Sequence, residues 1–470
     1  MVVAIYFKVN EYEKHMLHKK LIYIVLIVSF IACSSKNPGM SKDEIVRTLD
    51  EQAMQHETAV KAASAAMPEV TEDYTPPAGI KYRAKIETAG VKTLNVQAAL
   101  KNVRSMKVSE LGTLCIHRTG ALVPMGGSLM SVEEGYLLNG YQGIYLLDKG
   151  FKLIKQLFKN DVVFQRNGKR FFFQLNALLQ SVYYNATHKQ VQGVYTAYKH
   201  ESNSSRTFLA FLPWDVLTAA TEPLIEKDIT SSVPLQGNLG HRVLFKFTTE
   251  GFMRGIPYSS RFYTNGLKGD TLCYFDPTHL PDYAPSGRSG SVRSGEPWNI
   301  YDYQGKTRIR LAYDNTLYQL ENASTLKAIY RLDFGSLQRA VGQKVIGGSN
   351  VDDFYFVDQW LETDRYLFIR LTKGYDSPNA RKAKSVSLYS LIYDKTSGNF
   401  FSLPHEADKV ELDFPCFPAD GEQNVSFYPK GAVGNILFTC LDAMNMKDKY
   451  PDALKGQDVP DDELIVLTIE

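Results

Sequence analysis

"GIYLLDKGFKLIKQLF" spans Gly143 to Phe158 and reads as two short apolar strands joined through Asp148, Lys149 and Gly150. Apolar runs of strand length on either side of an Asp-x-Gly turn predict a β-hairpin. The same design recurs in "QSVYYNATHKQVQGVY" (180–195), "DTLCYFDPTHLPDYA" (270–284), "NTLYQLENASTLKAIYRLDFG" (315–335) and "VSLYSLIYDKTSGNFFSLP" (386–404). Tyr145, Tyr183, Tyr274, Tyr318 and Tyr389 hold comparable places near the ends of the first strands. Repeats on this scale predict propeller blades or a solenoid. A four-stranded blade takes about 40 to 50 residues, so residues 80–470 have room for several. Closing blades into a ring leaves only short, protected strand edges. The rival architecture is a β-sandwich with a second domain, which fits less well because the chain exceeds the usual size of one sandwich.

Upstream of the hairpins the pattern changes. "LIYIVLIVSFIACSSKN" (Leu21–Asn37) is a greasy run that stops at a cysteine. Bridging a membrane takes about 20 apolar residues, whereas this run covers only Leu21 to Ala32 behind His18, Lys19 and Lys20. A basic flank, a short apolar stretch and a small residue before a break describe a secretory signal. Residues 1–32 are therefore expected to be a signal peptide cleaved between Ala32 and Cys33, with Met16 as the true start. The stretch 33–79 is expected to be a tether with a short helix, because Ser41 and Glu44 form a capping-box pattern. Pro76 and Pro77 end it, and the β domain is expected over 80–470.

Composition excludes several classes. Hydrophobic residues at 44% and charged residues at 22% are ordinary for a globular protein. A formal charge of +2 gives no basis for a nucleic-acid partner. The 28 Tyr and 25 Phe against three Trp favour sheet. Apart from Cys33, the cysteines at 115, 273, 416 and 440 stand far apart without a C-x-x-C pair. Disulfides are permitted in an exported protein, but three of these thiols lie in apolar runs that suit buried free cysteines equally well.

Motifs for chemistry are missing. The chain has no G-x-S-x-G, H-E-x-x-H or phosphate-loop pattern. His188, His200 and His279 fall in turn-like contexts, and Asn185 and Asn203 occupy N-x-[ST] sequons. Asp352, Asp353, Asp358, Glu362 and Asp364 either converge on a cation or serve as turn and strand-edge carboxylates. Their spacing lacks calcium-loop order, which favours the second reading. No catalytic residue, metal ligand or cofactor is assigned from the sequence. The candidate recognition loop is "YAPSGRSGSVRSGEPWN" (Tyr283–Asn299), whose Arg288, Arg293 and Trp298 suit a sugar, an acidic ligand or a protein.

"SMKVSELGTLCIHR" (105–118), "AYDNTLYQLENAS" (312–324), "WLETDRYLFIRL" (360–371), "LIYDKTSGNFFSL" (391–403) and "VPDDELIVLTIE" (459–470) carry a resemblance. Together they resemble the six-bladed β-propeller lipoproteins of Bacteroides-type bacteria. Phe30-Ile31-Ala32-Cys33 resembles the lipobox of bacterial lipoproteins, which implies acylation of Cys33. The resemblance implies an all-β fold, a six-bladed propeller anchored by lipid at the cell envelope. Ser34 after the cysteine favours the outer membrane. One departure is "KNDVVFQRNGK" (159–169), where many relatives carry a Gly-Pro-Gly-Glu-like turn. The expected function is a binding module for a protein, peptide or glycan. The alternatives are a metal-dependent hydrolase or lyase working in the central channel, and a structural subunit of an envelope assembly.

Overall fold

The computed structural model describes residues 85–123, 127–167, 170–199, 204–234, 245–255, 261–268, 270–276, 299–311, 313–339, 352–374, 378–383, 385–404, 406–407, 417, 427, 429–450 and 452–470. The expected signal peptide and tether (1–79), Cys33, and loop residues Arg288, Arg293 and Trp298 lie outside the described residues.

Strands β1 (Lys85–Glu87), β2 (Lys92–Asn95) and β3 (Leu114–Leu122) come first. Blade one follows as β4 (Gly127–Ser131), β5 (Gly135–Gly140), β6 (Gly143–Asp148) and β7 (Leu153–Lys159). Blade two holds β8 (Asp161–Asn167), β9 (Arg170–Asn185), β10 (Gln190–Lys199), β11 (Ser204–Pro213) and β12 (Ser231–Pro234). Blade three is β13 (Phe245–Phe247), β14 (Gly251–Gly255), β15 (Phe262–Gly266) and β16 (Thr271–Phe275). Blade four is β17 (Asn299–Tyr303), β18 (Lys306–Arg310), β19 (Thr316–Asn322) and β20 (Thr325–Asp333). Blade five is β21 (Tyr355–Glu362), β22 (Tyr366–Lys373), β23 (Ser387–Asp394), β24 (Phe400–Ser402) and β25 (Glu406–Ala407). Blade six combines β26 (Gly431–Val433), β27 (Ile436–Asp442) and β28 (Glu463–Ile469) with β3.

Packing between the sheets makes them a ring. Each blade shares one apolar cluster with the next, and a sixth cluster joins blade six back to blade one. Along β6, Ile144 and Leu146 face blade two, whereas Tyr145 and Leu147 face blade six. Along β28, Ile465 and Leu467 face blade five while Leu464 and Val466 face blade one. A strand buried on both faces reads as a continuous apolar run rather than an alternating one. That is why "GIYLLD" and "ELIVLTI" carry almost no polar residues. Six sheets with six shared interfaces leave no place for the sandwich alternative.

Closure uses residues from both ends of the described chain. The β3 strand pairs antiparallel with β28, setting Cys115 opposite Thr468 and His117 opposite Val466. Before reaching blade six, β1 and β2 add in parallel to β20 of blade four. The helix Val96–Lys101 then packs against β24, and Val103 bridges to Ser402. Among the described residues no helix is long and apolar enough to cross a membrane.

Four of the five expected hairpins form as read: β6–β7, β9–β10, β19–β20 and β23–β24. The "DTLCYF" segment is β16, which pairs with β15 upstream, and the downstream half of the expected hairpin (277–284) lies outside the described residues. In the β6–β7 turn, Asp148 Oδ1 accepts hydrogen bonds from the Gly150 and Lys152 amides, each at 2.8 Å. Such a carboxylate mimics a backbone turn. Cys115, Cys273 and Cys440 form no disulfide among the described residues, and Cys416 lies outside them.

Gly143 opens β6 at φ 137°, and a Cβ there would meet the Phe158 carbonyl oxygen at 1.9 Å. Gly143→Ala therefore adds backbone strain and a clash, and is expected to cost about 2–4 kcal/mol. Gly434→Ala, with φ 59° but open space around the Cβ, is expected to cost only about 1 kcal/mol. Urea unfolding of the two variants measures the difference.

Candidate functional site

Successive strands of a meander reverse direction, so in the four-stranded blades the turns between first and second and between third and fourth strands emerge at one end of the ring, where the β9–β10 turn of blade two joins them. First strands touch one another across blades, as β17 with β21 and β26 with β4, and so surround the axis. The turn end carries the polar features.

Between blades three and four lies a cleft of about 230 Å³. Blade three lines it with Thr248, Thr249 and Glu250 of the β13–β14 turn, and with Thr264 and Asn265 of β15. Blade four contributes Lys306 and Thr307 after the β17–β18 turn, and Glu321 and Asn322 before the β19–β20 turn. Turns favour such polar residues, and their convergence follows from the packing of two blades rather than from any one motif. Its frame is fixed by short bonds. Thr264 Oγ1 donates to the Ala323 carbonyl at 2.5 Å, and Asn265 Nδ2 donates to Thr271 Oγ1 at 3.1 Å. Asn185, fully buried, donates from Nδ2 to the Thr249 carbonyl at 2.9 Å and so ties blade two to the rim. This sequon asparagine is a structural tie, with its amide turned into the protein.

Next to the cleft, Glu321 accepts a hydrogen bond from Gln319 Nε2 at 2.7 Å, and Gln319 Oε1 accepts one from Arg308. Arg308 leads into a buried charged network joining blades four and five. Glu362, 2% exposed, accepts from Arg308 Nε at 3.0 Å, Lys395 Nζ at 2.7 Å and the Tyr301 hydroxyl at 3.1 Å. Both cations also lie over the Tyr303 ring, Lys395 at 4.3 Å and Arg308 at 5.1 Å from its centroid. Burial lowers the affinity of Lys395 for its proton, although Glu362 beside it acts the other way. Burial and the neighbouring Glu362 push the Tyr301 phenol well above its ordinary range.

Asp364 extends the network to blade six. It accepts from Tyr303 and Gln304, and exchanges two hydrogen bonds with Asn435 at 2.6 and 2.8 Å. Those donors, the Tyr303 hydroxyl first, hold its carboxyl below the usual range.

The acidic run read from the sequence is thereby resolved residue by residue. Asp353 pairs with Lys373 at 2.7 Å and Asp358 with Arg370 at 2.6 Å, while Glu362 and Asp364 belong to the network. Asp353, Asp358 and Glu362 thus face separate cations, and Asp364 faces neutral donors. Glu362 is buried, which a strand-edge assignment did not anticipate. His188 sits in the β9–β10 turn, as its context predicted.

A different group has the spacing of metal ligands. Cys115, His117 and Glu470 bring a thiol, an imidazole and a carboxylate within 4.8 Å of one another. Sequence reading passed over them. The available signal was Cys-x-His on a strand, which places both side chains on one face; Glu470 joins only through ring closure.

The ring of six sheets, with its polar turn end, defines the protein as a six-bladed β-propeller. The chain belongs to the family described as "Domain of unknown function (DUF4933)", which matches residues 77–452. No curated protein matches it significantly. Among solved structures, a Bacteroides fragilis protein named for its expected export shares 13% identity, with 81% of this chain and 99% of that one covered at a TM-score of 0.48. A DUF4623 family protein of Bacteroides eggerthii shares 10%, covering 76% and 74% at a TM-score of 0.27. A hypothetical selenium-binding protein of Sulfolobus tokodaii shares 9%, covering 60% and 65% at 0.30.

Proposed function

We propose that this propeller is a lipid-anchored binding module of the cell envelope, acylated at Cys33 and anchored in the outer membrane, whose ligand enters the cleft between blades three and four. The cleft supports this reading best. Its lining mixes threonine hydroxyls, two amides, two carboxylates and the Lys306 ammonium, which can meet a peptide backbone and charged side chains of either sign. Among the described residues lining it none carries an aromatic ring, which favours a peptide or protein segment over a glycan, whose sugar faces favour an aromatic platform. The loop bearing Arg288, Arg293 and Trp298 leaves β16 and enters β17, which belong to the same two blades, and we assign it to partner contact.

A photo-cross-linking residue at Lys306 or Thr249 in cells tests the assignment. One discrete adduct from these positions, and none from Lys227 in blade two, is the expected result. Monomer alone from all positions overturns it. The anchor is tested separately: Cys33→Ala is expected to move the protein from the membrane fraction to the soluble fraction, and unchanged membrane association refutes acylation.

The alternative of a metal-dependent hydrolase or lyase in the channel requires ligands on the inner strands. Among the described residues the group with metal-ligand spacing lies on β3 and beside β28, toward the outer edge of blade six.

A further inference from the structure

We propose that Cys115, His117 and Glu470 bind one divalent ion of the zinc class, clasping the two strands that close the propeller ring. Residues 115 and 117 stand two apart on β3 and so share a face. Thr468 of β28 pairs opposite Cys115. Thr113 and Glu470 exchange backbone hydrogen bonds at 3.0 and 3.1 Å, which places Glu470 next in line on that face. His117 Nε2 lies 3.6 Å from Glu470 Oε1 and 2.9 Å from Thr468 Oγ1. In tetrahedral zinc, nitrogen and oxygen ligands stand about 3.3 Å apart and sulfur and nitrogen about 3.6 Å. The group therefore needs only small side-chain rotations to close on an ion.

The donor set selects the metal class. Calcium and magnesium take oxygen ligands, whereas a thiolate with an imidazole and a carboxylate suits zinc. Thiolate and carboxylate together offset the charge of a divalent cation. Burial and the Glu470 carboxylate both raise the Cys115 thiol, so the protonated group lacks a local positive charge to ionise it. Burial holds His117 below its usual range and keeps the imidazole neutral, the form that ligates. Ion binding converts the thiol to thiolate, with its proton passing to solvent. The fourth position is left to water or the Thr468 hydroxyl.

Blade one holds the imidazole in place. Phe151 lies against His117 with ring centroids 4.6 Å apart, and Tyr136 stacks on the other side of Phe151 at 4.3 Å. Phe151 has φ 64°, a conformation rare for a bulky residue, and its ring is the wedge between the two neighbours. The site thus reaches from the closing strands of blade six to a turn of blade one, and is separate from the blade three–four cleft. An ion bound there adds to closure of the longest loop in the fold, and stabilises the folded ring by mass action.

The test uses the complete chain, reduced, stripped with chelator and titrated with Co²⁺ and then Zn²⁺. The expected result is one equivalent of Co²⁺ bound with a thiolate charge-transfer band, displaced by Zn²⁺, together with release of the Cys115 proton. Cys115→Ser is expected to abolish the band and weaken Zn²⁺ binding by at least about 100-fold, the upper scale seen when a mere supporting partner is lost. Cys440→Ser is expected to retain both. Glu470→Gln, an exposed change, is expected to weaken Zn²⁺ binding with the circular-dichroism spectrum intact. Absence of the band in the unaltered chain, or equal Zn²⁺ affinity in all four proteins, overturns the proposal.

Discussion

Glu362→Ala is expected to be among the most damaging single substitutions in this propeller, costing about 3–5 kcal/mol of folding free energy. Glu362 is the one carboxylate among the described residues bonded directly to both Arg308 and Lys395. Without it, two cations stay buried between blades four and five beside a phenol that has also lost its acceptor. Coulomb attraction to Tyr303's ring is too weak to replace an ionised carboxylate. The asymmetry gives a sharp control. Removing one partner from a buried ionic group is costly, whereas replacing the whole group with apolar side chains of similar volume is often neutral. Arg308→Met, Glu362→Leu and Lys395→Met combined are therefore expected to recover most of the loss. Equilibrium unfolding in urea measures both, and a cost below about 1 kcal/mol for Glu362→Ala contradicts the role assigned to the network.

Hairpins joining third and fourth strands were the most legible part of this fold. Asp148 and Asp394 each cap a turn through a side-chain oxygen, and Asn322 does the same with the Ser324 amide. Asp or Asn beside Gly or Ser between apolar runs is a local signal, visible without tertiary information. The turns between first and second strands of blades three and five lack it, although Gly434-Asn435 in blade six carries it. "TTEG" at 248–251 and "TDRY" at 363–366 carry ordinary polar residues, and the second is held by the Thr363 hydroxyl accepting from the Tyr366 amide at 3.0 Å. The "DTLCYF" strand pairs with β15 before it, and a register shift at Thr264 and Asn265 hides that pairing from a periodic reading.

Ring closure was illegible, because His117 and Thr468 stand 351 residues apart and no periodicity links them. The candidate sites inherit that limit. Cys115 and His117 announce a shared strand face, but Glu470 joins them only when β28 meets β3. The cleft draws on turns from two blades, each unremarkable alone. The run from Asp352 to Asp364 shows the converse limit, since the favoured reading as turn and strand-edge carboxylates gave no sign that Glu362 is buried. A strand that passes several neighbours gives each carboxylate a different partner, so closeness in sequence did not become convergence in space.

Alkaline pH is expected to unfold this protein well before a typical tyrosine-rich chain exhausts its titration. Burial pushes Tyr145 up to about 12. Tyr355 also rises to about 12, from burial first and then from Tyr389. Tyr318 is raised further by burial and by Asp314, whose carboxylate accepts its hydroxyl at 2.8 Å. Cys440 adds a thiol pushed up to about 12 by burial. In each case the folded protein holds a proton that the unfolded chain releases earlier. The stabilisation is thus complete below the unfolded values, near 9 for the thiol and 10 for the phenols. It declines as pH rises toward the folded values. Each group loses about 1.4 kcal/mol per pH unit inside its window, so at pH 11 the four together remove on the order of 7 kcal/mol. Cys440→Val is expected to delay the onset from about pH 9 to about pH 10, leaving the phenols to set it. Unfolding followed by circular dichroism, with phenolate absorbance recorded on the same samples, separates the contributions. Exposed tyrosines should ionise first and the buried ones only together with loss of the sheet signal. Ionisation of all 28 tyrosines near pH 10 with the sheet signal intact contradicts the burial on which the six-interface ring depends.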